Sequence, residues 1–121
     1  TGVPAVIGQV RSGQLKALAV SGKARVEALP DVPTVNEALG LKDFEADQWY
    51  GVVAPAGTPA DIVAKLNQAI NAALNSAELK KRLGAEGAVA TPTTPEAFGK
   101  YIASEIERWK PVITSGRVKV D

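Results

Sequence analysis

The sequence predicts an α/β fold that is helix-rich with few strands, and three observations carry that prediction. Apolar residues recur at helical spacing through most of residues 59–113. Residues 15–20 ("LKALAV") and residues 44–54 read as strand, being short, apolar and bounded by turn residues, with at most one further short strand at the C-terminal end. Cap residues followed by proline, Thr58-Pro59 and Thr94-Pro95, mark helix starts in the second half. About six helical segments then face two or three strands, whereas a doubly wound domain alternates the two. The opening "TGVP" reads as a loop leaving a strand that is not present. The expectation is therefore a portion of a longer protein, with a complete α+β domain on a small sheet as the alternative.

Taken in order, residues 4–12 place Val6, Ile7 and Val10 at helical spacing, and Pro4 fits a first turn. Gly13 suits the position after the helix end, where the backbone turns left-handed. The run 15–20 follows as a short buried strand. Residues 21–33 are a polar connection in which Pro30 and Pro33 disfavour helix. Thr34 and Glu37 then match a capping box for a short helix closed by Gly40. Beyond the second strand, Thr58, Pro59 and Asp61 open a helix whose stripe is Ile62, Leu66, Ala69, Ile70, Ala73 and Leu74. Ser76 caps a further helix ended by Gly87. The last helix shows Phe98, Tyr101, Ile102, Ile106, Trp109 and Ile113 on one face, with Pro111 expected to kink or shorten it near Glu107. The terminal "GRVKVD" reads as a short edge strand.

Composition removes several classes of function. The chain has 121 residues, 45% apolar and 22% charged, which suits one ordinary domain. Its 14 basic and 13 acidic residues leave a net charge of +1, so a nucleic-acid or anionic-membrane role has no electrostatic support. With no Cys and no His, zinc sites, thiol nucleophiles and imidazole catalysis are unavailable. No phosphate-binding loop is present, and no pair of carboxylates has a spacing that asks for acid–base work. A piece of an α/β enzyme using Ser or Lys is the remaining catalytic option, and these absences argue against it.

The stretches "SGQLKALAVSGKARVEALPDVPTVNEAL", "FEADQWYGVVAPAGTPADIVAKLNQAINAAL" and "LKKRLGAEGAVATPTTPEAFGKYIASEIERWKPVI" occur in that order. Together they resemble the C-terminal part of the Bug solute receptors, the extracytoplasmic substrate-binding proteins of tripartite tricarboxylate transporters. The resemblance implies part of a two-lobed fold of the type II periplasmic-binding class, each lobe an α/β sandwich. Residues 1–46 would belong to the second lobe, residues 47–57 would form the interlobe crossing strand, and residues 58–121 would pack on the first lobe. It further implies a periplasmic, non-enzymatic receptor without a cofactor. Its partners would be a small organic anion (a di- or tricarboxylate, an acidic amino acid or an aromatic acid) and the membrane permease subunits. A structural fragment that binds no ligand and self-associates is the competing reading, since an incomplete lobe leaves apolar faces and strand edges uncovered.

In such receptors backbone amides and hydroxyls at helix N-termini hold the carboxylate. The resemblance thus points to Thr1, Gly2 and Val3 before the first helix, the alternative there being a frayed terminus. Ser21 and Gly22 close the run 15–20 at the end where ligands gather in open α/β sheets, or they form an ordinary turn. Asp47 and Gln48 could meet polar groups of the solute or simply be solvated. Trp49 and Tyr50 fall on opposite faces of an extended segment, so at most one enters a given cleft; Trp49 is assigned to it, against the common use of both as core. Lys23 and Arg25 could attract an anion or be solvated. Thr58 and Thr94 are read as caps. Glu78, Lys80, Lys81, Arg82 and Glu86 form a water-facing surface or a docking face for permease subunits, and Glu105, Glu107 and Arg108 are also surface residues.

Overall fold

The computed structural model describes residues 1–116. Five helices follow in order: α1 (Val3–Arg11), α2 (Val35–Leu39), α3 (Ala60–Asn75), α4 (Ala77–Ala85) and α5 (Pro95–Thr114). The chain divides into two compact units. One holds Thr1–Ala54 with Ala73–Thr91; the other holds Pro55–Ala72 with the chain from Pro92 onward.

In the first unit, helix ends are set by local chemistry. Proline occupies the first turn of α1, and Gly13 follows its C-cap with φ 75°. The Arg11 guanidinium donates to the Ala85 carbonyl at 3.2 Å, tying the end of α1 to the end of α4. The expected capping box on α2 is present. Thr34 Oγ1 accepts from the Glu37 N–H at 3.1 Å, Glu37 Oε2 accepts from the Thr34 N–H at 2.7 Å, and Gly40 closes the helix at φ 65°. Ser76 caps α4 by accepting from the Leu79 N–H, and Gly87 ends it with φ 74°.

The strands require correction. Residues 15–20 do not form one: the pairing present among the described residues is a single parallel bridge, Val20 to Thr34. It is made by the Val20 N–H to Pro33 and the Val35 N–H to Val20, both 2.9 Å. Residues 44–54 lie in no ladder either. A strand exists by repeated lateral pairing, and beyond the Val20 bridge and the Ala46 N–H to the Ser21 carbonyl these segments build no ladder among the described residues. Nor is the first run buried along its length: Leu18 is 74% exposed, and of its residues Val20 alone is buried. Ile7 and Val20 are the buried apolar residues, so the described chain encloses very little core.

In the second unit, Thr58 Oγ1 donates back to the Pro55 carbonyl at 2.8 Å, and α3 begins one residue later than expected, at Ala60. Ile62 and Leu66, placed on its buried stripe by the sequence, are half exposed. Asn67 and Asn71 both donate to the Thr93 carbonyl at 2.9 Å, and Asn71 accepts from the Thr93 N–H at 3.3 Å. That grip delivers the chain to Thr94, which caps α5 through the Ala97 N–H. Of the kink or shortening expected at Pro111, the shortening does not occur: α5 continues past Glu107 and through Pro111. Proline deprives only the Glu107 carbonyl of its helical donor, and Glu107 is exposed, so water can serve that oxygen. Glu105, expected at the surface, is 7% exposed; Arg108 and the Trp109 indole N–H both donate to it, at 3.1 and 3.2 Å. The terminal run read as an edge strand lies, from residue 117, outside the described residues.

Candidate functional site

Three stretches distant in sequence meet within the first unit: the start of α1, the turn after Val20, and residues 46–50. Ser21 fastens two of them. Its carbonyl accepts from the Ala46 N–H at 3.0 Å, and its hydroxyl donates to the Ala46 carbonyl at 2.9 Å. Two residues upstream, the Asn36 amide forms the same kind of double link to Phe44, donating to its carbonyl at 2.9 Å and accepting from its N–H at 3.0 Å.

The next two side chains rest against glycines. A Cβ on Gly22 would stand 2.9 Å from Asp47 Oδ1, and a Cβ on Gly2 would stand 2.5 Å from Gln48 Oε1. Neither glycine has a positive φ. Their backbones would suit other residues, and it is the missing side chain that admits the neighbour. Gln48 Nε2 also donates to the Tyr50 hydroxyl at 2.9 Å, which leaves the phenolic proton available to a further acceptor.

Gly2 is the N-cap of α1, with extended backbone and no side-chain cap. Pro4 lacks an N–H and the Ala5 N–H reaches the Gly2 carbonyl at 3.1 Å. The Val3 N–H is therefore the unclaimed donor of this first turn among the described residues, and the helix dipole makes its surroundings mildly positive. Behind it, Val3 Cγ1 lies 2.5 Å from where a Gly87 Cβ would be. Sequence reasoning read Gly87 only as a helix terminator; its positive φ was legible as such, but its contact with α1 was not.

Of the residues proposed from sequence, Gly2, Ser21, Gly22, Asp47, Gln48 and Tyr50 share these contacts, with Val3 adjoining and Thr1 exposed before it. Gln48 and Tyr50 are joined directly. Trp49 is 39% exposed and Tyr50 82%. Lys23 and Arg25 are each paired, Lys23 with Glu45 at 3.1 Å and Arg25 with Glu37 at 3.0 Å. The Thr34 backbone N–H, and after it the Arg25 guanidinium, hold the Glu37 carboxyl below its ordinary range.

The chemistry on offer is that of recognition: an unclaimed amide, a phenol, a carboxamide and a carboxylate. No group of three or more His, Cys, Asp or Glu that could hold a metal occurs among the described residues. In the second unit an open apolar groove of about 490 Å³ runs along α5 past Ile106, Trp109 and Ile113. No described helix is long and apolar enough to cross a membrane.

Comparison with known proteins gives a consistent result. A profile described as "Tripartite tricarboxylate transporter family receptor" matches residues 1–117. Protein BugT of Bordetella pertussis is 40% identical over 118 residues, covering 98% of this chain and 36% of the relative. A UPF0065 protein from the TAR-I ttuE-ttuC' intergenic region of Agrobacterium vitis is 40% identical, over 88% of this chain and 31% of its own length. Among solved structures, R. palustris Rpa4515 with adipate superposes with a TM-score of 0.84 at 33% identity, over 93% of this chain and 37% of that one. The periplasmic binding protein BugD gives 0.82 at 34% identity, over 94% and 38%. The chain thus spans about a third of the length of these two curated relatives.

Proposed function

This chain belongs to the tripartite tricarboxylate transporter receptor family, and from that premise we propose that it forms part of a periplasmic receptor capturing a small carboxylate for such a transporter. The family is one of receptors, and its fold over this stretch is that of part of a periplasmic binding protein. The observation that carries the reading is the meeting of Gly2, Gly22 and residues 46–50. It sets the Val3 N–H, Gln48 and the Tyr50 hydroxyl in one neighbourhood.

On this reading the carboxylate is held by the Val3 N–H at the positive end of α1, with Thr1 and the Tyr50 hydroxyl as further donors. Residues 1–46 belong to the second lobe of a two-lobed receptor, residues 47–57 cross between lobes, and residues 58–121 pack on the first. Capture is by lobe closure, the crossing segment bending near residues 47–51. The charged face of Glu78, Lys80, Lys81, Arg82 and Glu86 is available to the permease subunits. Isothermal titration of the full-length receptor against di- and tricarboxylates, acidic amino acids and aromatic acids tests the reading. Saturable binding of at least one class is expected, and silence across the panel would sink it.

One observation favours a second reading, a self-associating fragment: Leu15, Leu18, Val52, Val53 and Ile106 all lie exposed. Light scattering over a concentration series distinguishes the two, because a chain that stays monomeric argues against association.

A further inference from the structure

We infer that Asp47, seated over Gly22, makes the receptor favour carboxylates that also carry an ammonium group over the same carbon skeleton without one. The inference rests on the receptor reading above and names the ligand class within it. Gly22 needs no glycine for its φ, yet a Cβ there would meet both Asp47 carboxylate oxygens, at 2.9 and 3.3 Å. The space is used to seat this carboxylate, just as the space at Gly2 seats Gln48.

Ser21 fixes the backbone on the other side of that seat through its two hydrogen bonds to Ala46, the residue before Asp47. Asp47 itself makes no hydrogen bond or ion pair among the described residues. The side-chain cations of the neighbouring loop, Lys23 and Arg25, are engaged with Glu45 and Glu37. A positioned, uncompensated carboxylate beside a carboxylate-binding site repels a plain dianion. The same group attracts an ammonium once the ligand displaces water. Discrimination then comes from both the new attraction and the relieved repulsion.

The test is calorimetry of the full-length receptor with matched pairs, succinate against aspartate and glutarate against glutamate. A charge-assisted hydrogen bond predicts a preference of roughly tenfold or more for the amino-bearing member of a pair. Asp47→Asn keeps the shape and removes the charge, and is expected to bring both members within about twofold of each other. Gly22→Ala supplies a second variant. Its Cβ displaces only the end of a flexible side chain, so the urea midpoint should hold while the preference falls. Dicarboxylate binding without amine preference in the wild type, or a preference that survives Asp47→Asn, overturns the inference and leaves the receptor reading intact. Absence of binding by every compound overturns both.

Discussion

Replacing Gly87 with alanine tests the packing behind the candidate site. Gly87 has φ 74°, a left-handed conformation, and its Cβ would lie 2.5 Å from Val3 Cγ1, 3.2 Å from Val3 Cβ and 3.3 Å from Val26 Cγ1. The first of these distances falls well inside van der Waals contact. Val3 is β-branched and stiff at χ1, so it yields less readily than a flexible side chain would. A left-handed alanine costs about 1–2 kcal/mol, and overpacking adds about 1–3 kcal/mol. Reduced freedom of the unfolded chain returns about 0.4–1 kcal/mol. The expected loss is therefore about 1–5 kcal/mol, centred on about 3 kcal/mol. Gly13→Ala provides the control, since Gly13 has φ 75° but nothing within 4 Å of its Cβ position. It should lose only about 1 kcal/mol. Urea unfolding followed by tryptophan fluorescence measures both, and hydrogen exchange at the start of α1 reports whether Val3 is displaced. Equal losses for the two variants would refute the proposed contact between α4 and α1.

Thr34→Ala removes the hydroxyl that caps α2 at a residue only 3% exposed, and about 1–2 kcal/mol should be lost in urea unfolding. Glu37 gives a pH signature with a definite sign. Its folded pKa lies below the ordinary 4.5, so its contribution is complete above that value and disappears as pH falls through the folded pKa. The stability difference between wild type and Glu37→Gln should therefore shrink on acidification through the carboxylate range, and a constant difference would contradict the assignment. Asn71→Ala removes two of the three side-chain hydrogen bonds to the Thr93 backbone, leaving its N–H without that partner, and should cost about 1–3 kcal/mol in the same unfolding assay, more than Asn67→Ala, which removes one.

Local chemistry was largely legible in the sequence, Thr58 excepted, since it turns back to Pro55 and does not cap α3, whereas nonlocal pairing was not. Thr34 with Glu37, Ser76 and Thr94 cap the helices assigned to them, and Gly13, Gly40 and Gly87 end theirs. Each involves residues within one or two turns, where spacing alone specifies the partner. Residues 15–20 and 44–54 have the composition of strands, but strand formation depends on a neighbour that composition does not name. Pro111 does not shorten α5 because it falls in the last turn, where only the exposed Glu107 carbonyl loses its helical donor. For the site, resemblance to a receptor family nominated Gly2, Gly22 and residues 47–50. Their mutual contacts are tertiary and leave no periodic trace. The seating of Asp47 and Gln48 on two glycines of ordinary φ could be seen only once the chain was folded.

The double links at Phe44 and Ala46 index the chain. Asn36 holds residue 44 and Ser21 holds residue 46, each by both its N–H and its carbonyl. Two such fasteners with one residue between them leave no slack, so Asp47 and Gln48 emerge in a fixed phase. A slip of one position would carry Gln48 to Gly22 and Trp49 to Gly2, or Ala46 to Gly22 and Asp47 to Gly2, because each seat takes the next residue along the chain. Length changes in the loop at residues 41–43 can be absorbed before the first fastener. An insertion or deletion at residues 45–46 cannot, and it would convert the site's polarity without altering a single residue in it.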